Sequence, residues 1–255
     1  TIINKRDLEP ILLEQKEEIT NRTEENLCSR KEQSLIELES PQAQVVIGVR
    51  RCGKSTLCLQ TLRDAGEIFA YANFDDERLS GLGIAQLNDV LETLYKIYGS
   101  FKYLFLDEIQ DVEGWPLFVN RLLRKKLHVV LTGSNAKLLS GDLATHLTGR
   151  SSEISLYPFS FGEYCEMKGV DTHTMTTEKI AFRRAAFDDY MKQGGFPELL
   201  HVKDSKRYVA NLVDNILRRD IEQRYSILYK AEFEALAHHL LNVSPAVAVA
   251  NELST

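Results

Sequence analysis

The stretch from Gln44 to Thr56 constrains the local fold more tightly than any other part of the 255-residue chain. Val45-Val46-Ile47 is a short apolar run of strand type. Gly48-Val49-Arg50-Arg51-Cys52-Gly53-Lys54-Ser55 follows it directly, in the spacing G-x-x-x-x-G-K-S. Gly48 and Gly53 let the backbone curl so that successive N–H groups point inward at phosphate oxygens. Lys54 adds a cation suited to β- and γ-phosphates, and Ser55 adds a hydroxyl suited to Mg²⁺. A helix is expected from here to about Ala65, with Gly66 placed to close it. Its N-terminus turns partial positive charge toward the same phosphates. Gly48 through Thr56 is therefore the candidate ATP-binding loop.

Two readings of Cys52 stand at this point: an oxidation-sensitive thiol inside the loop, or a small side chain that fits the turn. Arg50 and Arg51 either contact phosphate or brace against acidic side chains.

Beyond the loop, strand and helix alternate. Ile68 to Phe74, Phe101 to Leu106, Leu127 to Leu131 and Glu153 to Leu156 read as further strands. Ile84, Leu87, Val90, Leu91, Leu94 and Ile97 follow helical spacing, and Trp115 to Lys126 reads as a helix with Pro116 in its first turn. A further helix is expected up to about Leu147. This alternation predicts an α/β fold with a five-stranded parallel sheet and helices on both faces. After Pro158 the pattern turns helical, around 160–168, 178–193, 205–225 and 231–242, with a break at Gly194-Gly195-Phe196-Pro197. Residues 1–40 are polar and charged, with Leu8, Ile11, Leu12 and Ile19 at helical spacing, and the stretch from Glu14 to Ser34 reads as solvated helices or a partly mobile lead-in.

The third strand ends in Asp107-Glu108. A buried parallel strand delivers its last residues to the carboxyl edge of the sheet, where ligands bind in open α/β folds. Asp107 is then a candidate Mg²⁺ ligand beside Ser55, and Glu108 a candidate base for the attacking water. The alternative is a helix N-cap without chemistry. The phosphate loop upstream favours the catalytic reading.

Composition sets bounds on partners and compartment. A net charge of −6 argues against blanket attraction to nucleic acid. The cysteines at 28, 52, 58 and 165 lack zinc-ligand spacing and read as reduced thiols of a cytoplasmic protein. No apolar run is long enough for a membrane span. The chain opens on Thr1, which fits a start inside a longer natural chain or after a processed tag.

The blocks GVRRCGKST (48–56), YLFLDEIQ (103–110), VVLTGSNAKLL (129–139), LTGR (147–150), LYPFSFGEY (156–164) and GGFPELL (194–200) together resemble the AAA+ ATPases. They are most similar to an archaeal and bacterial group with a G-x-R-R-x-G-K-[ST] loop and, often, a further C-terminal domain. The resemblance covers roughly residues 40–225. After the helical lead-in that spacing places over 1–40, it implies the α/β ATPase domain over 41–157 and a helical lid over 158–230, and the residues over 231–255 resemble the truncated opening of a winged helix. For that last segment an amphipathic tail is the other reading.

The resemblance also implies roles that spacing does not supply. Asn135 is similar to the sensor residue that positions the attacking water, with Ser134 as the alternative. Asn73 is similar to a polar residue that restrains the catalytic Glu, although turn chemistry explains it as well. Arg150 is placed like a finger reaching a neighbouring subunit's ATP in a homo-oligomer; a surface or ion-paired Arg is the other reading. For the lid's own arginine, Arg183, Arg184, Arg218 and Arg219 are all candidates. Mg²⁺-dependent ATP hydrolysis coupled to conformational or assembly change is the function these features imply. The alternative is a nucleotide-dependent module that binds DNA or a protein through the helical C-terminal region, with slow or vestigial hydrolysis. A small-molecule kinase is disfavoured, because it must keep water from the γ-phosphate.

Overall fold

The computed structural model describes residues 5–22, 27–134, 147, 149–222 and 226–243. They fall into two compact units, Thr1–His201 and Val202–Thr255. The helical segment expected as one body over 158–230 is thus shared between them.

The first unit is built on strands β1 (Ala43–Gly48), β2 (Phe69–Asn73), β3 (Tyr103–Asp107), β4 (His128–Ser134) and β5 (Ser151–Ser155). They form one all-parallel sheet in the order β2-β3-β4-β1-β5. Alternate strand residues feed two cores, as the two-residue strand period requires. Val45, Ile47, Leu104 and Leu106 enter one core, and Val46, Tyr103 and Phe105 the other.

Helices α1 (Lys5–Arg22), α3 (Leu87–Tyr98) and α4 (Trp115–Arg124) supply the first core. Helix α2 (Lys54–Asp64) supplies the second. The expected punctuation is present. Gly66 has a positive φ just past α2, and Pro116 sits in the first turn of α4.

The lead-in needs correction. Residues 14–22 are not a solvated or mobile segment: they are the second half of α1, which buries Leu8, Ile11, Leu12 and Ile19 and packs on α3 and β2. Its dense charges lie on the opposite face. Gln15 hides the pattern, because it is polar yet buried, with its carboxamide bonded to both backbone groups of Asn73 and to Asp76.

After β5 the chain forms α5 (Phe161–Lys168) and α6 (Thr177–Gln193), then a 3₁₀ turn at Pro197–Leu200. A capping box between Ser160 and Glu163 starts α5. The break at Gly194-Gly195 folds back on Phe159, whose N–H donates to Gly195 O at 2.6 Å. A Cβ on Gly195 would stand 2.2 Å from Phe159 O, so only glycine permits the approach.

The second unit holds α7 (Ser205–Asn215), which continues as a π-helix over Ile216–Glu222, and α8 (Lys230–Val243). Arg218 pairs with Glu234 at 3.7 Å and Lys230 with Glu222 at 3.9 Å. The stretch read as a winged-helix opening runs on into 244–255, outside the described residues.

Candidate active site

Because all five strands are parallel, their carboxyl ends share one edge. Register puts Gly48 beside Ser134 and Asn73 beside Asp107. Strands β3 and β4 lie between β1 and β2, so the chain leaving β1 must cross over them. That reversal of order opens the crevice in which open α/β sheets bind ligands.

The loop after β1 is shaped by close contacts. A Cβ on Gly48 would meet Leu156 O at 2.2 Å and Cys52 Sγ at 2.9 Å. Gly53 has φ of 101°, a left-handed conformation, and α2 begins at the next residue. Cys52 is fully buried with its thiol toward Leu156 O at 3.5 Å, and burial pushes its pKa up. A thiol held protonated this way is inert, which favours the small-side-chain reading. Both loop arginines are braced: Arg50 on Asp75 at 3.2 Å and Arg51 on Glu198 at 2.5 Å. Lys54 is buried, with Nζ 3.3 Å from Val49 O and 3.4 Å from Glu108 Oε1.

Asp107 is the hub of the strand edge. Ser55 Oγ donates to its Oδ1 at 2.9 Å, Thr132 Oγ1 donates to the same oxygen, and Tyr71 OH donates to Oδ2 at 3.1 Å. Burial raises the Asp107 pKa despite these donors, and the neighbouring Glu108 pushes the same way. Glu108 itself has φ of 54°, a left-handed backbone that is uncommon outside glycine. Its N–H donates to Thr132 Oγ1 at 3.1 Å, and its Oε2 accepts from Gln110 Nε2 at 2.6 Å.

Thr132, Tyr71 and Gln110 were not singled out by sequence. A Thr or Tyr inside an apolar strand reads as ordinary strand composition. Only the register reveals that Thr132 flanks the acidic pair.

The other expected residues fall as follows. Ser134 ends β4 beside Gly48, and Asn135 lies outside the described residues. Asn73 accepts from Asp75 N–H at 3.0 Å, which is turn chemistry, and it lines the same cavity as Lys54 and Glu108. Arg150 precedes β5 and accepts from Ala43 N–H, at the amino end of β1. The five-residue run from there to Gly48 spans about 17 Å. Arg150 is exposed and donates to Asn120 Oδ1 at 3.3 Å, so it does not meet its own chain's loop. Arg183 is spent on the carbonyls of Thr174 and Asp171.

Two cavities adjoin the loop. One of about 370 Å³ is lined by Arg50, Arg51, Lys54, Ser55, Asp107 and Glu108. The other, of about 210 Å³, is mostly apolar and includes Leu27, Leu57, Phe159, Met167, Pro197 and Leu200. Gly53, Thr56, Pro197 and Glu198 border both. Arg30 braces the second cavity. It donates to Tyr157 O at 2.7 Å and Cys52 O at 3.4 Å, contacts Glu163 at 2.6 Å, and stacks over Phe159 at 4.9 Å.

Residues 40–165 match the AAA domain family. The chain belongs to the AAA+ superfamily of P-loop NTPases. As an AAA+ protein it is nucleotide-binding. An uncharacterized protein of Methanocaldococcus jannaschii is 35% identical over 225 residues, covering 86% of this chain and 49% of that protein. An uncharacterized protein of Haemophilus influenzae is 36% identical over 197 residues, covering 72% of this chain and 47% of its own length. A second Methanocaldococcus jannaschii protein is 28% identical over 193 residues, 70% of this chain and 39% of that one. The AAA+ chain thus spans less than half the length of each of these relatives. AMPPCP-bound DnaA from Aquifex aeolicus aligns over 93% of this chain and 80% of its own, with 15% identity and a TM-score of 0.39, too loose a likeness to bear on function. Among the described residues no helix is long and apolar enough to cross a membrane.

Proposed function

We propose that this AAA domain binds ATP with Mg²⁺ and hydrolyses the β–γ phosphoanhydride, with Glu108 as the general base. The observation that carries the reading is the meeting of loop and strand edge. Ser55 bonds Asp107, and beside them Lys54 faces Glu108 across 3.4 Å in one cavity. Phosphate donors, metal donors and a carboxylate base are the three parts hydrolysis needs.

The donor set fits Mg²⁺. Ser55 and Asp107 offer hard oxygens, and among the described residues the side chains that bond the buried Asp107 carboxyl are hydroxyl donors. Bound Mg²⁺ would neutralise charge on the β- and γ-phosphates.

The protein's own residues do the rest. ATP phosphates entering the loop give Lys54 a new partner and release Glu108 from it. Glu108 then takes a proton from water as the water oxygen bonds the γ-phosphorus and the bond to the bridging oxygen breaks, leaving ADP. Its left-handed backbone and Gln110 fix the carboxylate's direction. Ser134 at the end of β4, and Asn135 after it in sequence, are assigned to positioning that water. Phosphates also compete with Glu198 for Arg51, which would pass nucleotide state to the Pro197–Leu200 turn. Arg150 is assigned to a neighbouring subunit's ATP in a homo-oligomer, an assignment its exposure and its distance from its own loop support.

The test is phosphate release by purified protein. Wild type should turn over ATP in the presence of Mg²⁺. Glu108→Gln should lose roughly 10²–10⁴-fold in turnover while still binding ATP. Unchanged turnover in the variant would remove Glu108 from the mechanism.

A further inference from the structure

The smaller cavity contains a polar group that the fold leaves unused. Gln60 is only 7% exposed and lines this cavity, yet among the described residues its carboxamide has no hydrogen-bond partner. The amide opens onto the cavity, where a bound molecule can pair with both its donor and its acceptor. Its placement is specific. Gly53, Thr56, Leu57 and Gln60 fall on one stripe at the start of α2 and along it, and all four line the cavity. Gln60 stands six residues beyond Lys54, about 9 Å along the helix axis. That separation suits a ligand with phosphates at one end and a flat heterocycle at the other.

We propose that Gln60 reads the base of the bound nucleotide and selects adenine. The inference rests on the nucleotide reading above and adds the base to it. A carboxamide offers one acceptor and one donor side by side. Adenine presents the matching pair: its exocyclic amino group donates, and the adjacent ring nitrogen accepts. Guanine brings an additional 2-amino donor, which would face a wall formed largely by Leu27, Phe159, Met167, Pro197 and Leu200. Arg30, the cation of this wall, is committed to Tyr157 O and Glu163. An unmet donor on the wrong base is the stronger source of discrimination.

The test is a cycle between the ligand's amino group and the side chain. Calorimetry on the full chain compares ATP, GTP, tripolyphosphate and purine riboside triphosphate, which is ATP lacking the 6-amino group. The same ligands are titrated into Gln60→Met, which keeps side-chain length, with thermal melts to show that the variant folds. Wild type should bind ATP roughly tenfold or more tightly than the analogue. Gln60→Met should bind the two alike. Gln60→Glu, whose carboxylate only accepts, should move preference toward GTP. The proposal is overturned if wild type does not distinguish ATP from the analogue, an observation that needs no variant. It is equally overturned if Gln60→Met keeps the wild-type preference. Tripolyphosphate separates the two readings. Binding that Lys54→Ala abolishes shows the phosphate loop working whatever the base result, whereas a wild type that binds neither tripolyphosphate nor any nucleotide removes the nucleotide reading itself.

Discussion

The surroundings of Asp107 oppose a charge on its carboxyl. Burial is the largest influence on its carboxyl and raises its pKa; Glu108 adds to this, and bonds from Thr132, Ser55 and Tyr71 oppose it. A raised folded pKa means that the neutral form suits the fold better. The group's favourable contribution is therefore present below the ordinary carboxyl pKa and is lost as pH rises through the folded value. Asp107→Asn removes the charge and keeps the shape. In calorimetric melts without nucleotide the variant should be more stable than wild type near neutral pH, with Tm moving about 2–4 °C per kcal/mol. The gap should narrow as pH falls. The added stability that ATP with Mg²⁺ gives wild type should be absent from the variant. At this scale the sequence was legible where chemistry demands a rare residue pattern, as at Gly48, Gly53, Lys54, Ser55 and the acidic pair. It was silent on Thr132 and Tyr71, because their hydroxyls matter only through cross-strand register. It was silent on Gln60 as well, since an unpartnered amide on a helix becomes visible only when its surroundings are buried.

Among the elements, Arg30 ties residues 27–30 to the loop and to α5. Arg30 is buried, and its contacts reach Cys52, Tyr157 and Glu163. Removing one partner of a buried pair leaves an uncompensated charge. Arg30→Met should cost about 3–5 kcal/mol in urea unfolding, and adding Glu163→Gln should recover part of that loss. Element type was readable from periodicity along most of the chain, including β1, α3, α5 and α6. The lead-in was misread because charges crowd one face of α1 while the buried stripe is interrupted by Gln15, a polar residue satisfied only by Asn73 and Asp76. The Gly194-Gly195 break was legible as a break. Its cause, the approach to Phe159 O, was not, since two segments far apart in sequence make it.

For the whole molecule, the sheet's parallel order follows from strand–helix alternation, but the grouping of helices does not. The division at His201–Val202 falls in the gap between the helices expected at 178–193 and 205–225, which composition does not mark as a boundary between units. Assembly is the matching question of function. If Arg150 acts on a neighbour, the protein should elute as an oligomer when sized with ATP and Mg²⁺. Arg150→Ala should then lose roughly 10³-fold or more in turnover with ATP affinity unchanged. A monomer that hydrolyses at the full rate would leave Arg150 no part in a neighbour's site.

The wall shared by the two cavities has a consequence for affinity. Gly53, Thr56, Pro197 and Glu198 border both spaces, so a nucleotide bound as proposed would lie across these four residues. The covalent link between base and phosphates then works as a tether. Once either end is seated, the other meets its half-site at a high effective concentration. Neither half needs to bind well alone, and either half can be lost first, so nucleotide would arrive and leave by stepwise engagement.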